Sequence, residues 1–144
     1  MKRGEILLAS EKTRMIAIID DDEDISKLFK IALGEKISGY EIYSFNDPIV
    51  ALEHFSDNKH AYALVMTDLR MTGLSGLELL KKVKKANPRG RTILTSAYNF
   101  EGVKSFQECV ELGIIDLSIE KPISIQRLCD RVRDEIQIYQ LANS

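Results

Sequence analysis

The sequence predicts an α/β fold in which a parallel β-sheet is covered by helices on both faces. Short apolar runs that suit buried strands alternate five times with amphipathic stretches that have helical spacing. Strict alternation is typical of parallel sheets, because each connection between neighbouring strands crosses the sheet as a helix. The chain has 144 residues, 44% of them apolar, which suits a single domain with a packed core.

The first two units are predicted from the N-terminal part of the chain. Residues 15–19 form a continuous apolar run that suits a strand buried on both faces. The apolar face of the following helix has spacings of three and four residues and consists of Ile25, Leu28, Phe29, Ala32 and Leu33. Gly34 is the predicted end of this helix. Residues 41–45 form the second strand, and Asp47 is the N-cap of a helix with Pro48 in its first position.

The third unit begins with an apolar strand at residues 61–67. Ser75 and Glu78 have the spacing of a capping box, in which side chains satisfy the free N–H groups at the start of a helix. The apolar face of this helix consists of Leu77, Leu80 and Val83. The helix is predicted to end at Asn87, because Pro88 cannot continue it.

The last two units follow the same pattern. The fourth strand is predicted at residues 92–95 and the fifth at residues 114–119. The helix between them has an apolar face of Val103, Phe106 and Val110. This helix is predicted to end near Gly113. The final helix has an apolar stripe of Ile125, Leu128, Cys129, Val132, Ile136 and Tyr139.

Composition excludes several classes of function. The 20 Lys and Arg nearly balance the 22 Asp and Glu, which argues against nucleic-acid binding through bulk positive charge. No apolar run approaches the ~20 residues that span a bilayer, and the first residues lack the apolar length of a signal peptide. We therefore expect a cytoplasmic protein that contacts neither membrane nor nucleic acid directly. Structural roles are expected for the scattered Cys109, Cys129, His54 and His60, because their spacing does not suit a zinc site.

Acidic residues follow the first predicted strand, at the edge where parallel α/β sheets bind ligands. The macrodipole of the next helix accounts for Glu23 and Asp24. It does not account for Asp20 and Asp21, which directly follow a buried strand and repel each other unless a cation neutralises them. Oxygen ligands without His or Cys favour Mg²⁺, Mn²⁺ or Ca²⁺ over Zn²⁺.

Three other predicted strands also end in reactive groups. Asp68 follows the third strand, Ser96 the fourth and Lys121 the fifth. This combination suits phosphoryl transfer: a metal and an ammonium group neutralise phosphate oxygens, a hydroxyl donates to one of them, and a carboxylate attacks phosphorus.

Five motifs occur in order: Ile18-Ile19-Asp20-Asp21, Asp68-Leu69-Arg70-Met71, Gly76 with Glu78-Leu79-Leu80, Ile93-Leu94-Thr95-Ser96-Ala97, and Lys121-Pro122-Ile123. With these motifs the chain resembles the receiver domain of two-component response regulators, of the stand-alone, single-domain type. The resemblance covers about residues 14–140, with an extension at 1–13 and a tail at 141–144. It implies a flavodoxin-like (βα)5 receiver fold with three αβα layers and a five-stranded parallel sheet in the order 2-1-3-4-5.

The resemblance implies the reaction and the residues that perform it. Asp68 would accept a phosphoryl group from the phosphohistidine of a sensor histidine kinase or a phosphotransfer protein. Ser96 and Lys121 would bind the phosphoryl oxygens. The protein would be a switch with self-catalysed phosphorylation and dephosphorylation rather than an enzyme. The Lys121–Pro122 peptide bond is expected to be cis, a state that is accessible mainly to X-Pro bonds.

The resemblance also implies a metal and its ligands. Mg²⁺, with Mn²⁺ as an alternative, would be held by the carboxylates of Asp20, Asp21 and Asp68 and by the backbone carbonyl of Arg70. Asp21 would bind the ion directly and Asp20 through water. The expected partners are the phosphodonor and a downstream protein, and the expected state is a monomer or a weak homodimer. Two ways of passing on the signal remain open: the chain acts on a separate partner protein, or it is part of a larger regulator.

Two positions depart from the family pattern. Thr72 stands where the family commonly has Pro, and Gly73 is expected to supply the turn instead. Ser118 stands where the family usually has the aromatic switch residue, so signalling is expected to rest on Ser96, with Tyr98 following. Arg70 and Tyr98 occupy positions that border the route of the hydrolytic water in the family. Both are large, so we expect a phosphorylated state that hydrolyses slowly.

Three alternatives remain. A haloacid-dehalogenase-like Mg²⁺-dependent phosphatase also uses an aspartyl nucleophile, but it needs an acidic pair at a later strand end. Here the acids after Lys121 lie in the predicted last helix and are Asp130, Asp134 and Glu135. A flavodoxin-type FMN-binding protein needs a phosphate loop after the first strand, where these acids would repel the phosphate. The third alternative is a scaffold of the same fold that cannot accept phosphate. It is disfavoured because every position that the reaction needs is occupied by a suitable residue.

Overall fold

The structure is a computed structural model that describes residues 14–97 and 104–143. Within these ranges five β-strands alternate with five α-helices. The strands are β1 (Met15–Ile19), β2 (Glu41–Phe45), β3 (Tyr62–Asp68), β4 (Arg91–Ser96) and β5 (Leu117–Glu120). The helices are α1 (Glu23–Lys36), α2 (Pro48–Asp57), α3 (Gly76–Ala86), α4 (Lys104–Glu111) and α5 (Ile125–Ala142). A short 3₁₀ helix at Lys59–Ala61 precedes β3.

The strands form one parallel sheet in the order β2-β1-β3-β4-β5, which confirms the predicted topology. β2 lies on one side of β1, at an edge of the sheet, whereas β3, β4 and β5 follow one another on the other side of β1. Such a reversal opens a crevice at the carboxyl ends of the two central strands. Ile19 pairs with Thr67, so the residues that follow, Asp20 and Asp68, stand at the same level of the sheet.

The core consists of two apolar clusters, one on each face of the sheet. Ile16 and Ile18 belong to the cluster that α1 and α5 cover, whereas Ala17 and Ile19 belong to the one that α2, α3 and α4 cover. This division explains the uninterrupted apolar run of β1, because side chains on both faces of a central strand are buried. The sheet is therefore covered on both faces, as predicted.

The predicted helix starts are confirmed. The side chain of Asp47 accepts a hydrogen bond from the N–H of Ile49, and Pro48 is the first residue of α2. The Ser75 hydroxyl accepts from the N–H of Glu78 at the start of α3. Each such cap contributes about 1 kcal/mol to helix stability.

The predicted end of α1 at Gly34 is wrong. The helix continues to Lys36, and the N–H of Ile37 donates to the carbonyl of Leu33 at 2.8 Å. Gly34 is not among the described glycines with positive φ, so it lacks the left-handed conformation of a helix-ending glycine. A glycine in a helix interior costs about 1 kcal/mol relative to alanine, which this helix tolerates.

The predicted fifth strand starts three residues too early. The N–H groups of Ile114 and Ile115 both donate to the carbonyl of Cys109, so this apolar segment closes the end of α4 and β5 begins at Leu117. Ile115 is buried in the core even though it lies outside the sheet. The third and fourth strands differ from their predicted bounds by one residue at each end.

Two predicted core residues are about half exposed. Leu28 of α1 is 49% exposed and Val110 of α4 is 46% exposed. In α4 the buried residue is Cys109, which packs in one core cluster, whereas Cys129 of α5 packs in the other. The two thiols therefore lie on opposite faces of the sheet. Val103, predicted on the same helix face as Val110, lies outside the described residues.

The structure also accounts for His54, which packs beside the rings of Tyr43 and Phe45. Its Nδ1 atom is 2.7 Å from the hydroxyl of Tyr62. His54 therefore has a structural role, in which it joins α2 to the aromatic side chains of β2 and β3. His60 lies exposed in the 3₁₀ helix. Among the described residues, no helix combines the length and the apolar character that crossing a membrane requires.

Candidate functional site

Three carboxylates meet at the carboxyl edge of the sheet, in the crevice between β1 and β3. Asp20 and Asp21 follow β1, and Asp68 is the last residue of β3. Each offers a carboxylate oxygen, and these oxygens all lie within 4.8 Å of one another. Asp20 is buried, Asp68 is partly buried and Asp21 is exposed, so the group opens to solvent on one side.

Lys121, directly after β5, brings a positive charge to this group. Its Nζ atom donates to Oδ2 of Asp20 at 2.9 Å and lies 3.5 Å from Oδ1 of Asp68. The other oxygen of Asp20, Oδ1, accepts from the backbone N–H of Asp22 at 3.0 Å. Both oxygens of Asp20 therefore already contact donors of the protein.

Burial and neighbouring charges change the proton affinities of this group. Burial raises the pKa of the Asp68 carboxyl; the Lys121 ammonium opposes this effect, and the Asp20 carboxylate adds to it. Burial by itself would lower the pKa of Lys121, but the hydrogen bond and charge of Asp20, together with the charge of Asp68, outweigh burial and raise it. Lys121 therefore remains an ammonium group at neutral pH.

Backbone hydrogen bonds hold the ends of the strands together around Asp68. The N–H of Leu69 donates to the carbonyl of Thr95 at 2.9 Å, and the hydroxyl of Thr67 donates to the carbonyl of Asp68 at 3.0 Å. The N–H of Lys121 donates to the carbonyl of Ser96 at 2.8 Å. Sequence reasoning missed the contributions of Thr67 and Thr95, because threonine is common in strands and nothing in its spacing marks such a role.

The remaining predicted residues lie around this group. Ser96 ends β4 and is buried, one residue beyond the partner of Asp68 in the sheet. Arg70 is exposed after β3, and Ser118 is exposed on β5. Tyr98 lies outside the described residues.

Two predicted backbone features are present. The Lys121–Pro122 peptide bond is cis. Gly73, beside the exposed Thr72, has a φ of 98°, a conformation that favours glycine. Gly73 therefore supplies the turn in the loop where the family commonly has Pro.

The donor set suits a hard divalent cation. Three carboxylates with oxygens this close repel one another, and one ammonium group does not balance three negative charges. Oxygen ligands of this kind suit Mg²⁺, which in proteins takes one or two carboxylates and keeps several waters. The group is open to solvent at Asp21, so water can reach it.

Fold and site together define an α/β domain whose carboxyl sheet edge gathers three acids, an ammonium group and a hydroxyl residue. The family model of the response regulator receiver domain matches residues 16–133. The chain belongs to this family.

Sequence relatives agree with this assignment. The chain is 29% identical over 124 residues to the sporulation initiation phosphotransferase F of Bacillus subtilis, with 86% of this chain and 91% of that protein covered. It is 27% identical to the transcriptional regulatory protein YkoG of Bacillus subtilis, with 82% of this chain covered. The chain spans 49% of the length of YkoG, about half.

A solved structure shares both fold and sequence. The response regulator protein TrrA of Thermotoga maritima, in complex with Mg²⁺ and BeF, is 30% identical, with a TM-score of 0.68. The match covers 85% of this chain and 98% of that one.

Proposed function

We propose that this protein is a phosphorylation-dependent switch in which Asp68 accepts a phosphoryl group from a protein phosphohistidine. The observation that supports this most directly is the contact of Lys121 with both Asp20 and Asp68, beside a third carboxylate. An oxygen of Asp68 forms the bond to phosphorus while the bond from phosphorus to the histidine nitrogen of the donor breaks. Lys121 and Ser96 then bind the phosphoryl oxygens.

The metal proposed here is Mg²⁺, held by Asp20, Asp21, Asp68 and the backbone carbonyl of Arg70. When bound, it neutralises the negative charge that the phosphoryl oxygens bring to the carboxylates. Because both oxygens of Asp20 already contact donors, its contact with the ion is proposed to run through water, whereas the exposed Asp21 binds directly. The hydrogen bonds of Asp20 support this division of roles.

The donor is proposed to be a histidine kinase or a phosphotransfer protein, and the signal is passed to a further protein. The relative phosphotransferase F and the family assignment support a place in phosphoryl relay between proteins. The haloacid-dehalogenase alternative is not supported. The chain belongs to the receiver family, and the later acids Asp130 and Asp134 lie within α5 rather than at a strand end.

The experiment that tests the proposal is intact-protein mass spectrometry after incubation with acetyl phosphate. We expect one added phosphoryl group in the presence of Mg²⁺, and loss of that group in mild alkali, because an acyl phosphate is labile. Without Mg²⁺ incorporation should fall to the background level. No incorporation with Mg²⁺ from acetyl phosphate or from a phosphorylated histidine kinase would contradict the proposal.

Mg²⁺ is expected to raise the melting temperature of the wild-type protein, because it binds the folded carboxylates and relieves their repulsion. Asp21→Asn should remove this rise, and it should melt at a higher temperature than the wild type when both lack metal. Thermal melts with and without millimolar Mg²⁺ measure both effects. Asp24→Asn is the matched control and should keep the full response. An Asp21→Asn protein that responds like the wild type would contradict the proposed ligand set.

The phosphorylated state is expected to hydrolyse slowly, because Arg70 and Tyr98, both large, occupy the two positions that border the route of the hydrolytic water in the family, and Arg70 can hold phosphoryl oxygens by charge. Arg70→Ala and Tyr98→Ala should each accelerate the loss of phosphate several-fold, measured as decay of the phosphorylated species by mass spectrometry. Tyr98→Phe keeps the ring and should decay like the wild type, as should Arg133→Ala on α5. Unchanged or slower decay in both alanine variants would refute this shielding.

A further inference from the structure

Gly76, the first residue of α3, lies directly against the backbone of Asp68. A Cβ atom built on Gly76 would lie 2.2 Å from the carbonyl oxygen of Asp68 and 3.0 Å from its carbonyl carbon. It would also lie 2.9 Å from Cδ1 of Leu94. Carbon atoms do not approach backbone oxygens this closely without displacing them, so no side chain fits at this position.

The requirement for glycine at this position is one of space. Gly76 is not among the described glycines with positive φ, whereas Gly73 and Gly113 are. Gly34 also lies inside a helix, and a Cβ atom there would meet nothing within 4 Å. Because glycine weakens a helix relative to alanine, the glycine at the start of α3 is explained by its contact with Asp68 and not by the helix.

Hydrogen bonds join the same two segments. The N–H of Gly76 donates to the carbonyl of Leu69 at 2.8 Å, and the N–H of Leu69 donates to the carbonyl of Thr95 at 2.9 Å. The carbonyl of Asp68 accepts from the Thr67 hydroxyl on its own strand. The peptide that carries the Asp68 carboxylate is therefore held by β4, by β3 and by the start of α3.

We propose that Gly76 is a positioning residue that sets the place of the Asp68 carboxylate relative to Lys121 and the acidic pair. The proposal rests on the proposed function of Asp68 as phosphoacceptor. A methyl group at position 76 would separate α3 from β3 or displace the Asp68 peptide. Either change moves the carboxylate away from its place 3.5 Å from the Lys121 ammonium, and small displacements of a reacting group cost large factors in rate.

The test compares Gly76→Ala with the wild type and with Gly34→Ala, which adds the same methyl group to a helix where space is free. Two quantities are measured: the dissociation constant for Mg²⁺, and the rate of phosphorylation by acetyl phosphate at saturating Mg²⁺. We expect Gly76→Ala to bind Mg²⁺ more weakly and to react about tenfold to a hundredfold more slowly even when saturated. Gly34→Ala should match the wild type in both.

Val83→Ala distinguishes a displaced Asp68 carboxylate from a general loss of protein stability. Val83 is buried on the same helix but faces the core rather than Asp68. It should melt at a lower temperature yet be phosphorylated at the wild-type rate. A folded Gly76→Ala protein that reacts and binds Mg²⁺ like the wild type would overturn the proposal. The proposal would also be overturned if Gly76→Ala and Val83→Ala had equal melting temperatures and Gly76→Ala lost no more of its phosphorylation rate than Val83→Ala did. Failure of the wild type to be phosphorylated would instead count against the proposed function.

A second measurement uses the wild-type protein and does not depend on a variant that folds. If the start of α3 moves together with the Asp68 peptide, Mg²⁺ should slow hydrogen exchange at the amides of Leu69 and Gly76. The amide of Asn58, at the end of α2, should be unaffected. Unchanged exchange at Gly76 with Mg²⁺ bound would show that the two segments are not coupled, and would overturn the proposal.

Discussion

Asp68→Asn is expected to abolish phosphoryl incorporation from acetyl phosphate and from a phosphorylated histidine kinase. The substitution keeps the size of the side chain but replaces a charged nucleophilic oxygen with a neutral amide. It also removes one of the three carboxylates proposed to bind Mg²⁺. The variant should fold like the wild type, because the repulsion between Asp68 and Asp20 is removed. Intact-protein mass spectrometry measures the loss directly.

The matched control for this experiment is Asp24→Asn. Asp24 belongs to the same acidic run but lies exposed in the first turn of α1. Asp24→Asn should be phosphorylated like the wild type. Because both variants lose one negative charge, the effect of Asp68→Asn then cannot be attributed to overall charge. An alkali-labile phosphoryl group that persists in the Asp68→Asn protein would show that another carboxylate is the acceptor.

Asp116→Ala is expected to lower the free energy of unfolding by about 3 kcal/mol, because it removes the only carboxylate that pairs with the largely buried Lys84 ammonium among the described residues and the side-chain acceptor of the Thr92 N–H. Oδ2 of Asp116 lies 2.7 Å from Nζ of Lys84 and accepts from the N–H of Thr92 at 2.9 Å. Oδ1 lies 3.5 Å from Arg91, which also contacts Glu135 of α5 at 2.8 Å. The network therefore connects α3, β4 and α5 across the sheet. Urea unfolding at neutral pH measures the loss.

Two further variants show whether burial causes this effect. Asp130→Ala breaks a pair with Arg133 in which both side chains are about half exposed, and it should change stability by less than about 1 kcal/mol. Lys84→Met in the Asp116→Ala background removes one uncompensated cation and should recover part of the lost stability. Equal small losses in Asp116→Ala and Asp130→Ala would show that the network contributes no more than a surface pair.

Much of the fold followed from local patterns. The apolar run of β1, the caps Asp47 and Ser75, and the stop at Asn87 were predicted, because burial on both faces, capping and proline act over a few residues. The bounds of β5 were not predictable in this way. Ile114 and Ile115 are as apolar as strand residues, but in the folded chain their N–H groups donate to the carbonyl of Cys109 at the end of α4 instead of to a neighbouring strand.

Candidate reactive residues could also be named from sequence, because an acid, a hydroxyl or a lysine directly after an apolar strand has few structural explanations. The distances between these residues could not be predicted from the sequence. Lys121 lies 101 positions after Asp20 in the chain, and its contact with both Asp20 and Asp68 depends on the strand order. The network of Asp116 was missed for the same reason, since Asp116 contacts α3 and β4 and is connected to α5 through Arg91.

The sequence by itself determined the class of fold, the order of its elements and the chemical groups at the strand ends, because these depend on periodicity and on residue type. Tertiary structure alone decided which groups meet and how closely. The close approach of Gly76 to Asp68 is the clearest case: in the sequence it is one glycine after a helix cap, and its spatial requirement exists only when α3 packs on β3. Close packing is a property of segments brought together by folding, and sequence spacing does not encode it.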